Sequence, residues 1–517
     1  MSSTRARITR RALAAALAVL ALAACSSDPS GKSSPTTTRA TEAPATTVPG
    51  ASREYTANPG DWVLPGRDYD SSRAASGSEI DASNVEQLTK AWSVPVTGSL
   101  TTVPLIVGDT IYVQDGAGII YAIDRADGKV RWKTEAYGFN IGPYGVAVAN
   151  GRVFGAHGIA GIVAVDAKTG TELWIRDLQT TPTTGLDIQP TVYAGMVLAA
   201  TVPVSTTGIY TPGDRGVLYA LDAETGKIRW QFDTVKGDLW GHPEVNSGGG
   251  AWYPPSIDPT RDLVYWGVAN PAPFPGTAEY PNGTSRPGPN LYTDSTVALD
   301  VATGKLRWFH QVHPHDNFDR DLVHTLIGRP RDGREVVIGT GKGARVVGLD
   351  PETGERLWET PVGLHQNDDL ETLSGSTEVA PGTFGGVITP PATADGVVYL
   401  ATVNAPATLE PDETAYFATE MGQQDGQVVA LDATTGDILW DTKVPGDPLG
   451  AATVVNDLVL TALLDGTLVA LDRATGTTVW QTKAPGGING WMAVSGDQVV
   501  VPVGNGSPPA VVAYELR

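Results

Sequence analysis

The chain has 517 residues, 57 of them acidic and 36 basic, for a formal charge of −21. That charge is spread along the chain rather than gathered in blocks, which argues against a nucleic-acid partner. A single cysteine excludes an intrachain disulfide, a Cys-x-x-Cys-His haem site and a thiolate metal cluster.

In chain order, the first element is a targeting segment over residues 1–25. Arg5, Arg7, Arg10 and Arg11 precede a short apolar run at 12–24, too short to span a bilayer as a mature helix. It ends in Leu22-Ala23-Ala24-Cys25, which resembles a bacterial lipoprotein cleavage box, so Cys25 is the expected point of lipid attachment. Residues 26–58 are Ser, Thr, Pro and Ala with few apolar groups and are expected to form a disordered tether. The protein is therefore expected to be exported and lipid-anchored at the outer face of the bacterial cytoplasmic membrane, touching the membrane through its N-terminal lipid only.

From residue 59 onward the chain repeats one phrase, Ala/Gly-x-Asp-x-x-x-Gly-x-x-x-Trp. It closes at Trp132, Trp174, Trp230, Trp308, Trp358, Trp440 and Trp480. Trp92 stands one period earlier without the full phrase. The stretch 458–480 shows one unit plainly: two apolar runs about Asp465-Gly466, then a turn at Ala474-Thr475-Gly476 into a last strand. Asp-Gly between apolar runs signals a hairpin, because both residues tolerate positive φ. Each unit reads as a small antiparallel meander that must stack on its neighbours, with the Trp packed between them. The expected fold is all-β: an eight-bladed β-propeller with tryptophan-docking repeats over 59–517. A stacked solenoid is the structural rival. The C-terminal strands and the segment around Trp92 should complete one blade and close the ring.

The period stretches between Trp230 and Trp308 and again between Trp358 and Trp440. Insertions in a repeat array map to loops, often on the binding face. The first insertion holds Gly248-Gly249-Gly250, Trp252 and Asn270-Pro271. After Trp308 comes a run with His313, His315, Asp316, Asp319 and Asp321. Read as a strand, that run would place Asp319 and Asp321 on one side, and two carboxylates so close invite a cation or a raised pKa. His310, His313, His315 and His324 read as structural hydrogen-bonders rather than as a zinc set.

With these motifs the chain resembles the quinoprotein alcohol and sugar dehydrogenases. These are eight-bladed propellers that hold pyrroloquinoline quinone (PQQ) and a calcium or lanthanide ion in the central channel. The resemblance runs from Asp61-Trp62 through every Trp phrase and is strongest at 248–273 and 311–321. It implies that Trp252 is the ring on which the quinone stacks and that Lys342 contacts the quinone. It implies that Asn270, Asp319 and Asp321 are metal ligands, with Asp319 also the general base. Each implied role is chemically sound: a hard cation takes oxygen ligands, and a base must reach the substrate hydroxyl. The implied activity is oxidation of an alcohol or sugar hydroxyl, with electrons passed to an extracytoplasmic acceptor. The chain departs from the pattern at Thr101 and Thr211, where the family usually carries Glu, and at Tyr144, near a usual Arg. Those departures support the alternative, a non-catalytic propeller lipoprotein acting as a scaffold or solute-binding protein.

Overall fold

The computed structural model describes residues 48–140, 142–204, 211–330, 333–415, 421–505 and 508–517. The targeting segment, Cys25 and the first part of the tether lie outside the described residues. Residues ahead of the first blade strand pack on the ring. Residues Arg53–Ala57 form a short helix capped by Ser52, and Val48, Ala51 and Tyr55 pack against the core. Glu54 accepts the backbone N–H of Gly151 at 2.9 Å, which ties this helix to a turn of the ring. Three apolar side chains and a capping serine inside a polar stretch were enough to order it.

The described residues hold eight four-stranded antiparallel sheets. Seven are consecutive in the chain, over 105–133, 147–177, 191–233, 256–311, 324–361, 392–444 and 453–483, and are called blades 1–7 here. Blade 8 joins the two ends: Leu88–Pro95, which carries Trp92, pairs with Ala510–Leu516, followed by Gln498–Val503 and Ala493–Ser495. The ring thus closes as the sequence predicts, and its closing sheet needs both distant segments.

The repeated phrase explains how the blades join. Its Asp caps the turn before the outer strand: Asp166 Oδ1 accepts the N–H groups of Lys168 and Thr169, and Asp222, Asp350 and Asp472 act alike. From Trp132 through Trp440 its Trp donates Nε1–H into the following blade, to the carbonyl of the residue after that blade's Asp. Examples are Trp132 to Ala167 at 3.1 Å, Trp230 to Val301 at 2.8 Å and Trp308 to Pro351 at 3.0 Å. Its Gly receives the Trp ring of the preceding blade. At Gly354, with φ +71°, a Cβ would come within 2.4 Å of the Trp308 ring. One residue type there satisfies both the left-handed turn and the close approach of the indole.

Residues 61–75 form a strap across the inner strands. Ile106, Ile257, Ile327, Thr393 and Val454, on the first strands of five blades, donate their N–H groups to Trp62, Tyr69, Asp70, Ser72 and Arg73. The buried Arg73 guanidinium stands between the rings of Trp62 and Trp491, 5.2 and 5.8 Å from their centroids. It donates to the carbonyls of Ala452, Pro65 and Met492 and to Thr453 Oγ1. Tyr253 continues the stack, 5.4 Å from Trp491 and 5.1 Å from Trp252. Strap and aromatic column therefore fill the channel beneath Trp252.

Candidate functional site

Above that column lies a cavity of about 430 Å³. Trp252, Asn270, Asp319, Asp321 and Lys342, the five channel residues singled out from the sequence, all line it. Two register positions build its wall. Pro143, Asp187 and Trp252 each stand four residues before the first strand of their blade, at Ala147, Thr191 and Ser256. Val202, Asn270 and Lys342 each stand two residues past the second strand, which ends at Ala200, Val268 and Thr340. Both positions lie where strands end at the inner rim of the ring, so successive blades deliver side chains to one space. Phe274 and Phe384 add apolar surface from the insertions.

Asp319 and Asp321 do not lie on a strand. They occupy the connection between Leu306–Gln311 and His324–Gly328, with φ of +64° and +31°. The strand reading is thus corrected: left-handed backbone, rather than pleating, brings both carboxylates to one point. Lys342 Nζ lies 2.8 Å from an oxygen of each. Asp321 Oδ1 also accepts the N–H of Asn270 at 2.8 Å. Gly341 permits this docking, since a Cβ there would fall 1.5 Å from the Asp321 carbonyl oxygen. The Lys342 ammonium is 5.0 Å from the Trp252 ring centroid, a cation–π distance.

The electrostatics follow from one buried cation facing two buried acids. Burial opposes the charge on Lys342, but the two carboxylates outweigh it and hold the ammonium protonated. Burial raises both acids; Asp319 is raised well above the usual range, opposed by Lys342 and reinforced by the Asp321 charge. Asp321 keeps the better anion site, because it has the ammonium and the Asn270 N–H together. Among the described residues, no three His, Cys, Asp or Glu side chains converge as a metal site by themselves. An oxygen-donor set at this point must include the Asn270 amide.

Asp187 was missed. It lines the cavity, its Oδ1 is buried without a hydrogen-bond partner, and burial followed by the Asp321 charge pushes its pKa up to about 8. The signal was its offset from the following strand, shared with Trp252. Of the departures, Thr211 lines the cavity. Thr101 is turned to the carbonyl of Gly142, at 2.8 Å. Tyr144 is buried, with its hydroxyl donating to Ser99 at 2.7 Å. The nearby acid Asp214 is already engaged by Thr181 Oγ1 and its neighbour's N–H. The histidines disperse: His313 meets Arg320, His315 lies against the Asn282 carbonyl, and His324 stacks on Tyr253.

Residues 179–367 match the family described as glucose/ethanol/alcohol dehydrogenase, beta-propeller domain. Residues 73–199 and 376–515 match the family described as outer membrane protein assembly factor BamB, PQQ_2. A quinohemoprotein alcohol dehydrogenase, ADH IIB of Pseudomonas putida, is 30% identical over 359 residues, 62% of this chain and 50% of that protein. The chain spans about half the length of the curated relatives it matches. The crystal structure of quinohemoprotein alcohol dehydrogenase from Comamonas testosteroni superposes with a TM-score of 0.77 at 22% identity, covering 90% of this chain and 82% of that one. A europium-containing methanol dehydrogenase gives 0.74 at 22% identity, covering 89% and 98%. The two structures share the fold, and the family matches take in nearly the whole ring. The chain belongs to the family of PQQ-like β-propeller repeat proteins.

Proposed function

We propose that this propeller oxidises the hydroxyl of an alcohol or sugar with PQQ and a calcium or lanthanide ion. The observation that carries the reading is the meeting of Trp252, Asn270, Asp319, Asp321 and Lys342 around one cavity, from separate blades and insertions. The residues fit both groups. The cavity volume lies in the range of cofactor pockets, and the indole with its facing ammonium suits a flat electron-poor ring. Asn270, Asp319 and Asp321 are the oxygen donors a hard cation takes. When bound, the quinone supplies a two-electron acceptor and the ion supplies Lewis acidity.

The chain's own residues do the rest. Trp252 gives a rigid floor, held from below by Tyr253. Lys342 places a fixed positive charge at the cavity wall, where it stabilises negative charge developing beside it. Asp319 is the base that takes the substrate hydroxyl proton. Its burial raises its proton affinity, which suits a group that must accept a proton near neutral pH. Phe274, Phe384 and Val202 keep the space largely apolar, which strengthens each of these interactions.

The test is to add PQQ with calcium, and separately with lanthanum, to the purified protein. A holoenzyme should gain about 3–4 kcal/mol when ligand is several hundred to a thousand times its dissociation constant, and should reduce a dye with an accepted alcohol. Asp319→Asn should lower turnover by about 10²–10⁴-fold and leave the melting temperature of the cofactor-free protein nearly unchanged. Retained activity would remove Asp319 from the base role. A second reading, a propeller that binds a solute without chemistry, is favoured by Thr101, Thr211 and Tyr144. Absence of any stability gain with either metal would decide for it.

We further propose that the protein is exported and held at the envelope by lipid on Cys25, passing electrons to an acceptor outside the cytoplasm. The support is the basic and apolar segment ahead of Leu22-Ala23-Ala24-Cys25. Cys25→Ser should shift the protein from the membrane to the soluble fraction; an unchanged distribution would argue against the anchor.

A further inference from the structure

The oxygen donors proposed for the cation come from two segments of chain that meet at the cavity. Asn270 follows the second strand of blade 4, while Asp319 and Asp321 lie in the connection to blade 5. Backbone pairing joins the segments at one end of the acid loop. Val268 bridges Leu322, and Asp321 Oδ1 accepts the Asn270 N–H at 2.8 Å. The other end of the loop, at Asp316 and Asn317, is held by Arg286, a wholly buried side chain. Its guanidinium donates to the Pro273 carbonyl at 2.9 Å, the Asp316 carbonyl at 2.6 Å and Asn317 Oδ1 at 2.9 Å. A bond to Asn290 Oδ1 at 2.7 Å braces it from its own turn. Pro273 lies three residues after Asn270, and Asp316 three before Asp319. One planar fork therefore spans both donor segments from behind.

These acceptors are all neutral, and among the described residues Arg286 forms no salt bridge. Burying a guanidinium without a carboxylate partner is costly, and an apolar side chain could fill the same space. What the fork adds is fixed geometry, since its donors lock oxygens from separate segments in one plane. The tie reaches Asp319 through the turn. Asp316 Oδ1 and Oδ2 accept the N–H groups of Phe318 and Arg320, at 2.9 and 2.8 Å. Any shift of Asp316 thus carries Asp319 with it. We propose that Arg286 is a positioning residue of the cation site: it sets the distance between the Asn270 segment and the acid loop, and so holds Asp319 in place as ligand and base. The inference rests on the PQQ and metal reading above. Groups that stand behind metal ligands orient them, and their loss typically costs about 10–100-fold in metal affinity. Because Asp321 keeps its own bond to Asn270, loss of Arg286 should free Asp319 rather than dissolve the site.

The probe is terbium, excited directly and titrated into the protein with PQQ in excess. Arg286→Gln should weaken terbium binding by about 10–100-fold. The bound ion should also gain water as a carboxylate leaves it, seen as a larger difference between its luminescence decay rates in light and heavy water. Arg286→Lys keeps the charge but not the fork, and should fall between wild type and Arg286→Gln. Asn317→Ala removes one acceptor on the acid loop and should move both readouts the same way, which covers the case that Arg286→Gln does not fold. Gly354→Ala loosens a blade joint on which no site residue stands, and should bind terbium with wild-type affinity and hydration. With an accepted alcohol, Arg286→Gln should lower kcat more than it raises KM. Wild-type affinity and hydration in Asn317→Ala or in a folded Arg286→Gln would overturn the inference and leave the quinone reading standing. Equal losses in Arg286→Gln and Gly354→Ala would do the same, by reducing the effect to stability. No terbium uptake by wild type would overturn both the inference and the metal site on which it rests.

Discussion

Lys342 sets the charge balance of the cavity. One ammonium faces two carboxylates at 2.8 Å each, all of them buried. Removing it leaves two adjacent buried acids without a counter-charge, the costly way to break such a group. Lys342→Gln should therefore destabilise the cofactor-free protein by about 3 kcal/mol, measured by denaturant unfolding, and added lanthanum should recover much of the loss. A variant as stable as wild type would mean that the pair sheds its charge by protonation instead. Much of this site was legible before any coordinates. Trp252 and Asn270 fall in the first insertion that interrupts the period, Asp319 and Asp321 in the run just after Trp308, and Lys342 was reached through the resemblance. What was not legible is Asp187. It lies in an ordinary stretch, Leu186-Asp187-Ile188, and becomes visible only when distances to the next inner strand are counted across blades.

The phrase that links the blades couples one residue's backbone to its neighbour's side chain. Gly354 illustrates the demand, with φ +71° and a Trp308 ring atom 2.4 Å from where a Cβ would stand; Gly77 has φ +89° but nothing within 4 Å. Gly77→Ala should cost about 1 kcal/mol, from backbone strain alone. Gly354→Ala carries that strain and displaces the indole, so its cost should be about 3 kcal/mol. Unfolding free energies for the two variants give the difference; equal losses would show that the ring simply moves aside. The Trp spacing revealed the number of blades because it repeats a physical joint. The Asp319–Asp321 connection was misread because alternation along a strand says nothing about a loop in left-handed conformation. The helix Arg53–Ala57 was hidden by composition: in a stretch of Ser, Thr and Pro, the apolar contacts of Val48, Ala51 and Tyr55 depend on partners elsewhere in the chain.

At the scale of the molecule, two devices hold the ring. Blade 8 ties Leu88–Pro95 to Ala510–Leu516, and the strap runs hydrogen bonds to five inner strands. Arg73 joins the two, since it bonds to blade 7 at Ala452 and Thr453 and to Met492 beside blade 8, between two indoles. Arg73→Met keeps the stem and removes the guanidinium, leaving several buried carbonyls unpaired; the expected loss is about 3 kcal/mol. Limited proteolysis should then cut first within 61–75. If cleavage started in the blades instead, the strap would not depend on this residue.

The filled channel beneath Trp252 has a kinetic consequence. A chamber closed beneath its floor makes its reactants share the opposite side. On the proposed chemistry the alcohol enters, its oxidised product departs, and the electron carrier then approaches the reduced centre from the same side. Such traffic predicts parallel lines in double-reciprocal plots when both reactants are varied, and a carrier in excess that competes with the alcohol. Intersecting lines would point to another way out for the electrons.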